Sequence, residues 1–381
     1  MWGPIQTKLN RYDHIRPYHD QEVNEALLRA ARHPMFRVLL QFTFPDFSQE
    51  QILEVFKTCH SIADFQEKVI YKSVSNLLDK SSEGFTQSGF SALSRKQSYL
   101  YLSNHRDIVL DTSLLNMTLI DHKLITTASA IGDNLVQKDF LMELSKLNRN
   151  FLVLRDQSPR ELLMSSKLLS SYIKFLLQSN RSVWVAQREG RTKDGLDKTQ
   201  QGVLKMITMA RGKTPLMTYL RELSVIGVAI SYEYDPTDIL KVPEIVAKRE
   251  NLPYIKTANE DFNSILKGAL GNKRNIHIAA SALPEKVYDD IEDKYDSDNE
   301  KLQAFASELD KVIWKNYKLW PTNYIAYDLY HKTDKYKDKY DTKELRHFER
   351  RLEVRVDLSK QMEVDSFLLM YANPVLQAEK L

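Results

Sequence analysis

Between Ser91 and Pro284, short strand-forming runs alternate with helix-forming ones, and this constrains the fold more than any other feature. Residues 99–102, 124–128, 151–154, 183–186, 224–231 and 276–279 are brief, apolar and rich in Val, Ile, Leu and Tyr. Between them, residues 111–119, 159–178 and 202–210 carry apolar side chains at helical spacing. Such alternation folds as parallel strands joined by helices that cover the sheet. The expected class is therefore α/β, with a mixed, mostly parallel sheet and helical regions at both termini. Residues 23–32 (VNEALLRAAR), 49–57 and 64–78 read as helices, with Ser48 as the cap of the second. The polar stretch DKSSEGFTQS, residues 79–88, reads as a linker. After Pro284 the chain is helical and charged: 301–319 has an apolar stripe, and 334–341 (DKYKDKYD) reads as a solvated connection. The expected organisation is a helical region over 1–85, an α/β domain over 86–285 and a helical extension over 286–381.

Composition removes several function classes. A chain of 381 residues with 43% hydrophobic and 28% charged residues can bury a core and is not disordered. With only 11 Gly there is little material for Gly-rich phosphate loops, and no Walker loop, G-x-S-x-G elbow or H-E-x-x-H occurs. Cys59 stands alone, which excludes a disulfide frame and a cysteine zinc site and points to a reduced, cytoplasmic setting. No apolar run has the length of a spanning helix, and the start, MWGPIQTKLNRYD, lacks a signal-peptide core. The net charge of +3 is interspersed with acids, unlike the footprint of a nucleic-acid binder.

The stretch SYLYLSNHRDIVLD poses the functional question. Its strand stops at Ser103, and Asn104, His105, Arg106, Asp107 and Asp111 follow at once. One reading is a plain strand-to-helix turn capped by Ser103 or Asn104. The other is a catalytic base with an orienting carboxylate. Three more stretches sit at the ends of expected strands, where open α/β sheets gather their ligand groups. FLVLRDQ places Arg155 after a strand. VWVAQREGRTKDG crowds Arg188, Glu189, Arg191 and Lys193 around Gly190, a combination that grips phosphate as readily as it faces water. VIGVAISYE ends in Tyr232 and Glu233.

The order of these pieces resembles the four blocks of the glycerolipid acyltransferase family, which includes glycerol-3-phosphate and 1-acylglycerol-3-phosphate (lysophosphatidate) acyltransferases. AIGDNL, residues 130–135, is similar to a Gly-x-Asn-Leu segment of the glycerol-3-phosphate branch. The resemblance covers residues 99–233. Two departures stand out. The family spaces its His and Asp by five positions, whereas Asp111 follows His105 by six and Asp107 by two. The family's Glu-Gly-Thr-Arg is shortened here to Glu189-Gly190-Arg191.

The resemblance implies transfer of a fatty acyl group from an acyl-carrier-protein or coenzyme A thioester to a hydroxyl of glycerol-3-phosphate or lysophosphatidate, in bacterial phospholipid synthesis. Neither metal nor cofactor is implied beyond the thioester co-substrate. His105 would be the general base, suited by an unperturbed pKa of about 6.5. Asp111 is the preferred partner and Asp107 the competitor. In a continuous helix six positions place side chains about 120° apart, so the Asp111 assignment requires a turn over 104–108. Asn104, Arg106, Arg155, Arg188, Glu189, Gly190, Arg191, Lys193 and Tyr232 would form the acceptor site. A peripheral position on the inner face of the membrane is expected, with the terminal helical regions as candidate contacts. Competing readings are acylation of another lipid precursor such as an amino-acid lipid, a non-catalytic lipid-binding relative, and a thioesterase.

Overall fold

The computed structural model describes residues 11–381 apart from Ala258, with Leu39 described by its backbone only. The expectation that the start of the chain holds no signal-peptide core falls on residues 1–10, which lie outside the described residues. Seven strands form one sheet: β1 (Ser82–Ser88), β2 (Leu100–Ser103), β3 (Thr127–Gly132), β4 (Asn150–Val153), β5 (Ser182–Ala186), β6 (Val225–Tyr232) and β7 (Arg274–Ala282). Their order is β1-β7-β6-β2-β5-β3-β4. Every pairing is parallel except β6 with β7, so β2 to β6 all point their carboxyl ends the same way. Ser103 at the end of β2 lies opposite Ala186 of β5, and Gly132 of β3 opposite Val153 of β4. Those ends make one rim.

The central strands are buried on both faces, which explains their unbroken apolar runs. All eight residues of β6 are buried. One face packs against the helices Pro159–Gln178 and Asp298–Asn316, with Leu102, Val183, Ile173 and Leu309 fully buried. The other packs against Leu110–Asp121, with Leu114, Leu115 and Ile230 fully buried.

The expected linker at 79–88 is instead the end of the helix Tyr71–Ser81 followed by β1. β1 is an edge strand that pairs only with β7 and holds a single large apolar residue, Phe85. An edge strand in contact with water needs no apolar run, and its polar residues hide it from a pattern search. The expected boundary at residue 85 therefore falls inside a strand. Ser48 caps Gln49–Lys57 through a capping box with Gln51.

The two flanking regions have cores of their own. Val23, Leu27, Phe36, Phe56 and Phe65 pack together at the N-terminal side and reach Leu147 of the central region. At the C-terminal side Phe348 and Phe367 pack edge-on and tilted against Tyr371, among Ile325, Leu352 and Val375. Residues 334–341 are not wholly solvated there. Tyr336 and Tyr340 meet Asp328, and Tyr336 also packs against Tyr327.

Candidate active site

The site begins where β2 runs out. Ser103 Oγ accepts the Trp184 indole N–H at 2.8 Å. The Asn104 amide then continues the ladder to β6, donating to the Ile230 carbonyl at 3.0 Å and accepting its N–H at 2.8 Å. Neither residue caps the next helix. That role falls to Asp107, whose Oδ1 accepts the N–H groups of Val109 and Leu110 at 3.0 and 2.9 Å. The helix Leu110–Asp121 starts only there, so residues 104–109 form the turn that the His105–Asp111 spacing requires.

The turn brings His105 Nδ1 to 2.8 Å from Asp111 Oδ2. The same oxygen accepts the backbone N–H groups of Arg106 and Asp107 at 2.6 and 3.0 Å, while Oδ1 accepts the Tyr232 hydroxyl at 2.8 Å. Burial and then Asp111 hold that phenol well above its usual pKa, so it remains a donor. With three other donors upon it, the carboxylate is the acceptor for the ring as well. Nδ1 therefore carries the proton, and the lone pair of Nε2 is left for a substrate. Trp184 packs edge-on against the imidazole at 5.5 Å. Asp107 does not meet the ring. Its Oδ2 is buried without a hydrogen-bond partner among the described residues, and burial followed by the Asp111 carboxylate pushes its pKa up. A Cβ on Gly268 would lie 2.1 Å from that oxygen, so the helix Glu260–Leu270 comes this close only because residue 268 has no side chain.

His105 lines a cavity of about 1060 Å³ whose wall also includes Arg155, Arg188, Glu189, Gly190, Arg191 and Lys193. All seven thus share one opening. The charged groups among them are paired to different degrees. Arg155 pairs with Glu189, and its backbone N–H is held by Asp133 at 3.1 Å. Lys193 pairs with Glu244 at 2.6 Å, yet burial and then Arg191 push its pKa below the usual lysine value. Arg188 and Arg191 have no ion pair among the described residues. Arg191, only 8% exposed, has one long contact to Thr237 at 3.4 Å, and Arg188 Nε is buried with no partner. The wall also has an apolar stretch, with Leu152, Leu169, Ile173, Val185 and Met206, beside polar residues such as Ser129, Asn134 and Asn150.

Asn104 and Arg106 are placed differently from the other expected acceptor-site residues. Asn104 is fully buried and spent on β6. Arg106 is 3% exposed, donates to Asp197 at 2.6 Å and lies over the Tyr317 ring. Neither lines the cavity, and both are committed to partners within the protein. Tyr232 likewise faces Asp111.

Asp197 is the residue that sequence reasoning passed over. It accepts from Arg106, from Asn104 at 3.3 Å and from the Thr192 hydroxyl at 2.7 Å, while Thr192 N–H holds the His105 carbonyl at 2.7 Å. Gln377 of the helix Gln361–Ala378 grips its backbone twice: the carbonyl accepts the side-chain N–H at 2.8 Å, and the N–H meets Oε1 at 3.3 Å. Asn373 donates to the Asp194 carbonyl at 2.6 Å. Gly195, at φ +80°, lets the loop lie on that helix, since a Cβ there would be 2.3 Å from the Met370 carbonyl. The C-terminal region therefore braces both the turn and the basic loop. Among the described residues, no three or more His, Cys, Asp or Glu side chains are placed to hold a metal.

No family model matches the chain, and no curated protein does. Among solved structures, the 1-acyl-sn-glycerophosphate (LPA) acyltransferase PlsC from Thermotoga maritima aligns over 77% of this chain and 91% of its own, at 12% identity and a TM-score of 0.37. A likeness that loose carries no argument about the chemistry of this chain.

Proposed function

We propose that this protein is an acyltransferase of the glycerolipid type, moving a fatty acyl group from a thioester to the hydroxyl of a phosphate-bearing acceptor such as glycerol-3-phosphate or lysophosphatidate. One observation carries the reading: His105, held by Asp111, and two arginines that form no ion pair among the described residues line the same cavity. A neutral imidazole with a free Nε2 is what a hydroxyl nucleophile requires, and a buried cation without a partner favours an anion.

In the first half of the reaction the acceptor hydroxyl attacks the thioester carbonyl while His105 Nε2 takes its proton. The new C–O bond gives a tetrahedral intermediate, and Asp111 stabilises the imidazolium. Collapse breaks the C–S bond, and the leaving thiolate takes the proton back from His105. Arg188 and Arg191 hold the phosphate by charge-assisted hydrogen bonds. Glu189 and Gly190 shape their loop, with Arg155 tied to Glu189 and Lys193 to Glu244. The apolar stretch of the wall takes the acyl chain. The donor is an acyl-carrier-protein or coenzyme A thioester, and the acceptor is presented at a membrane surface. No helix among the described residues is long and apolar enough to cross a membrane.

Purified protein supplied with both donor types and a panel of acceptors tests this. Acyl transfer is expected to a phosphate-bearing acceptor and not in His105→Ala. No transfer to any phosphate-bearing acceptor overturns the role of the arginines. Fatty acid release at one rate with or without acceptor makes the protein a thioesterase instead.

A further inference from the structure

The helix Pro159–Gln178 starts just after Arg155, and its first turn and a half stands clear of the body. Residues 158–164 are all exposed. This tip holds three consecutive large apolar residues, Leu162, Leu163 and Met164, exposed at 53, 47 and 64%. Consecutive helical positions point about 100° apart, so the triplet circles the helix and no single neighbour could cover it. The buried face of the helix, with Leu169, Tyr172 and Ile173, begins only further along. Contiguous exposed apolar residues are uncommon on a protein that meets water alone.

The tip belongs to the mouth of the catalytic cavity, whose wall includes Leu162 together with Lys248 and Lys256. Beside those lysines the chain exposes Leu252 and Ile255, the latter at 83%. Segments 159–167 and 248–257 hold five cations, Arg160, Lys167, Lys248, Arg249 and Lys256, against two acids, Glu161 and Glu250. Arg160 and Lys167 have no ion pair among the described residues and Lys248 comes only within 3.9 Å of Asp194, while Lys256 pairs with Asp261 at 2.9 Å and Arg249 lies 3.7 Å from Asp365. Apolar tips ringed by cations match a layer of acyl chains beneath anionic headgroups. A triplet that circles the helix suits a fluid apolar layer that surrounds the tip better than a protein that meets one face of it.

We infer that this protein docks on an anionic lipid surface through residues 162–164 and the 252–256 loop, with the cavity mouth facing the bilayer. The inference rests on the acyl-transfer reading and deepens it, naming the surface that delivers the lipid. It also moves the expected contact from the terminal helical regions to the rim of the sheet.

Flotation with vesicles tests it: phosphatidylcholine with about one-third phosphatidylglycerol, and phosphatidylcholine alone. The full chain is expected to float with the anionic vesicles. Leu163→Ser with Met164→Ser should lower that partition at least about tenfold. Helical circular dichroism should be unchanged, as should turnover of a water-soluble short-chain thioester. Val354→Ser with Leu358→Ser, on an exposed part of the C-terminal region, should bind as the parent does. Equal binding by the tip variant, loss in the C-terminal variant, or no preference for anionic vesicles overturns the proposal. So does light scattering that finds the tip joining two copies, with no vesicle binding. Vesicle binding that survives alongside absent acyl transfer would leave the docking surface standing and remove the acyl-transfer reading.

Discussion

The two charged halves of the cavity are built in opposite ways. In the turn over residues 104–111 the groups that hold the base are spent, while Asp107 Oδ2 and Arg106 Nε find no hydrogen-bond partner among the described residues. Asp111 receives four donors, Arg106 meets Asp197, and the carbonyl of Arg106 accepts from the buried Lys241 at 3.0 Å. In the loop over residues 188–193, Arg188 and Arg191 form no ion pair among the described residues, although the buried Asp107 carboxyl acts on Arg191 from beyond ion-pair distance. The contrast reflects what each half has to do. A base works only in one orientation and one tautomer, so its surroundings must be satisfied before the substrate arrives. An anion site must keep its donors free, since a pre-paired arginine would have to give up one partner to gain another.

The largest test of this contrast lies in the turn. His105→Ala and Asp111→Asn should each lower kcat by about 10³–10⁴-fold with little change in acceptor KM, because one removes the base and the other leaves the ring with the wrong partner. Steady-state kinetics with a phosphate-bearing acceptor decides, and equal loss in kcat from Asp107→Asn would blur the distinction drawn between the two acids. Next comes the loop. Arg188→Ala or Arg191→Ala should raise acceptor KM about ten- to a hundredfold, the worth of a hydrogen bond to a charged group. Folding stability should hold or rise for Arg191→Ala, since a buried cation without an ion pair is removed, and change little for the half-buried Arg188. A fall in denaturant midpoint would mean that these arginines are structural after all.

A smaller effect is expected in the dependence of stability on pH. Asp310 accepts from the Thr199 N–H and hydroxyl at 2.7 and 2.6 Å at the base of the loop, and burial pushes its pKa up to about 6. An acid whose pKa rises on folding binds its proton more tightly when folded. Its stabilising contribution is therefore present at low pH and lost as pH climbs through about 6. Denaturant midpoints from about pH 5 to about pH 8 should fall by an amount on the order of 2 kcal/mol in stability, and Asp310→Asn should flatten that slope. The smallest effect belongs to the brace. Gln377→Ala strands the buried Asp197 N–H, while the carbonyl keeps the Trp314 indole N–H at 2.6 Å; it should cost about 1–2 kcal/mol, with kcat reduced several-fold and KM less. Unchanged kcat would detach the C-terminal helix from catalysis.

Different parts of this arrangement were legible in the sequence to different degrees. β2, β5 and β6 could be read because strands buried on both faces are rich in apolar residues, and the helix Pro159–Gln178 because its apolar spacing is long and its start carries a Ser-Pro cap. The strand expected at 124–128 overlaps β3 by two residues only, since Thr127 and Ser129 break the apolar run of Thr127–Gly132. β1 could not be read, since an edge strand keeps its polar residues. His105 stood out by its place after a strand. Spacing alone could not choose between Asp107 and Asp111, because the answer depends on where the helix begins, and that depends on Asp107 taking the capping role. Asn104 and Arg106 looked like substrate contacts through nearness to His105 along the chain. Alternate residues of a turn point in different directions, and these two point inward. Nothing local marked Asp197, whose partner Gln377 lies 180 residues away.

Residue chemistry along the chain is thus enough to specify a layered α/β core, a histidine at a strand's end and a cluster of cations later on. Periodicity and side-chain type are local properties, and they survive in one dimension. Which acid holds the imidazole, which arginines stay unpaired and which helix clamps the loop were settled only by the folded chain. Pairing and burial depend on what distant segments bring within about 3 Å, and no pattern confined to a few neighbouring residues records that distance.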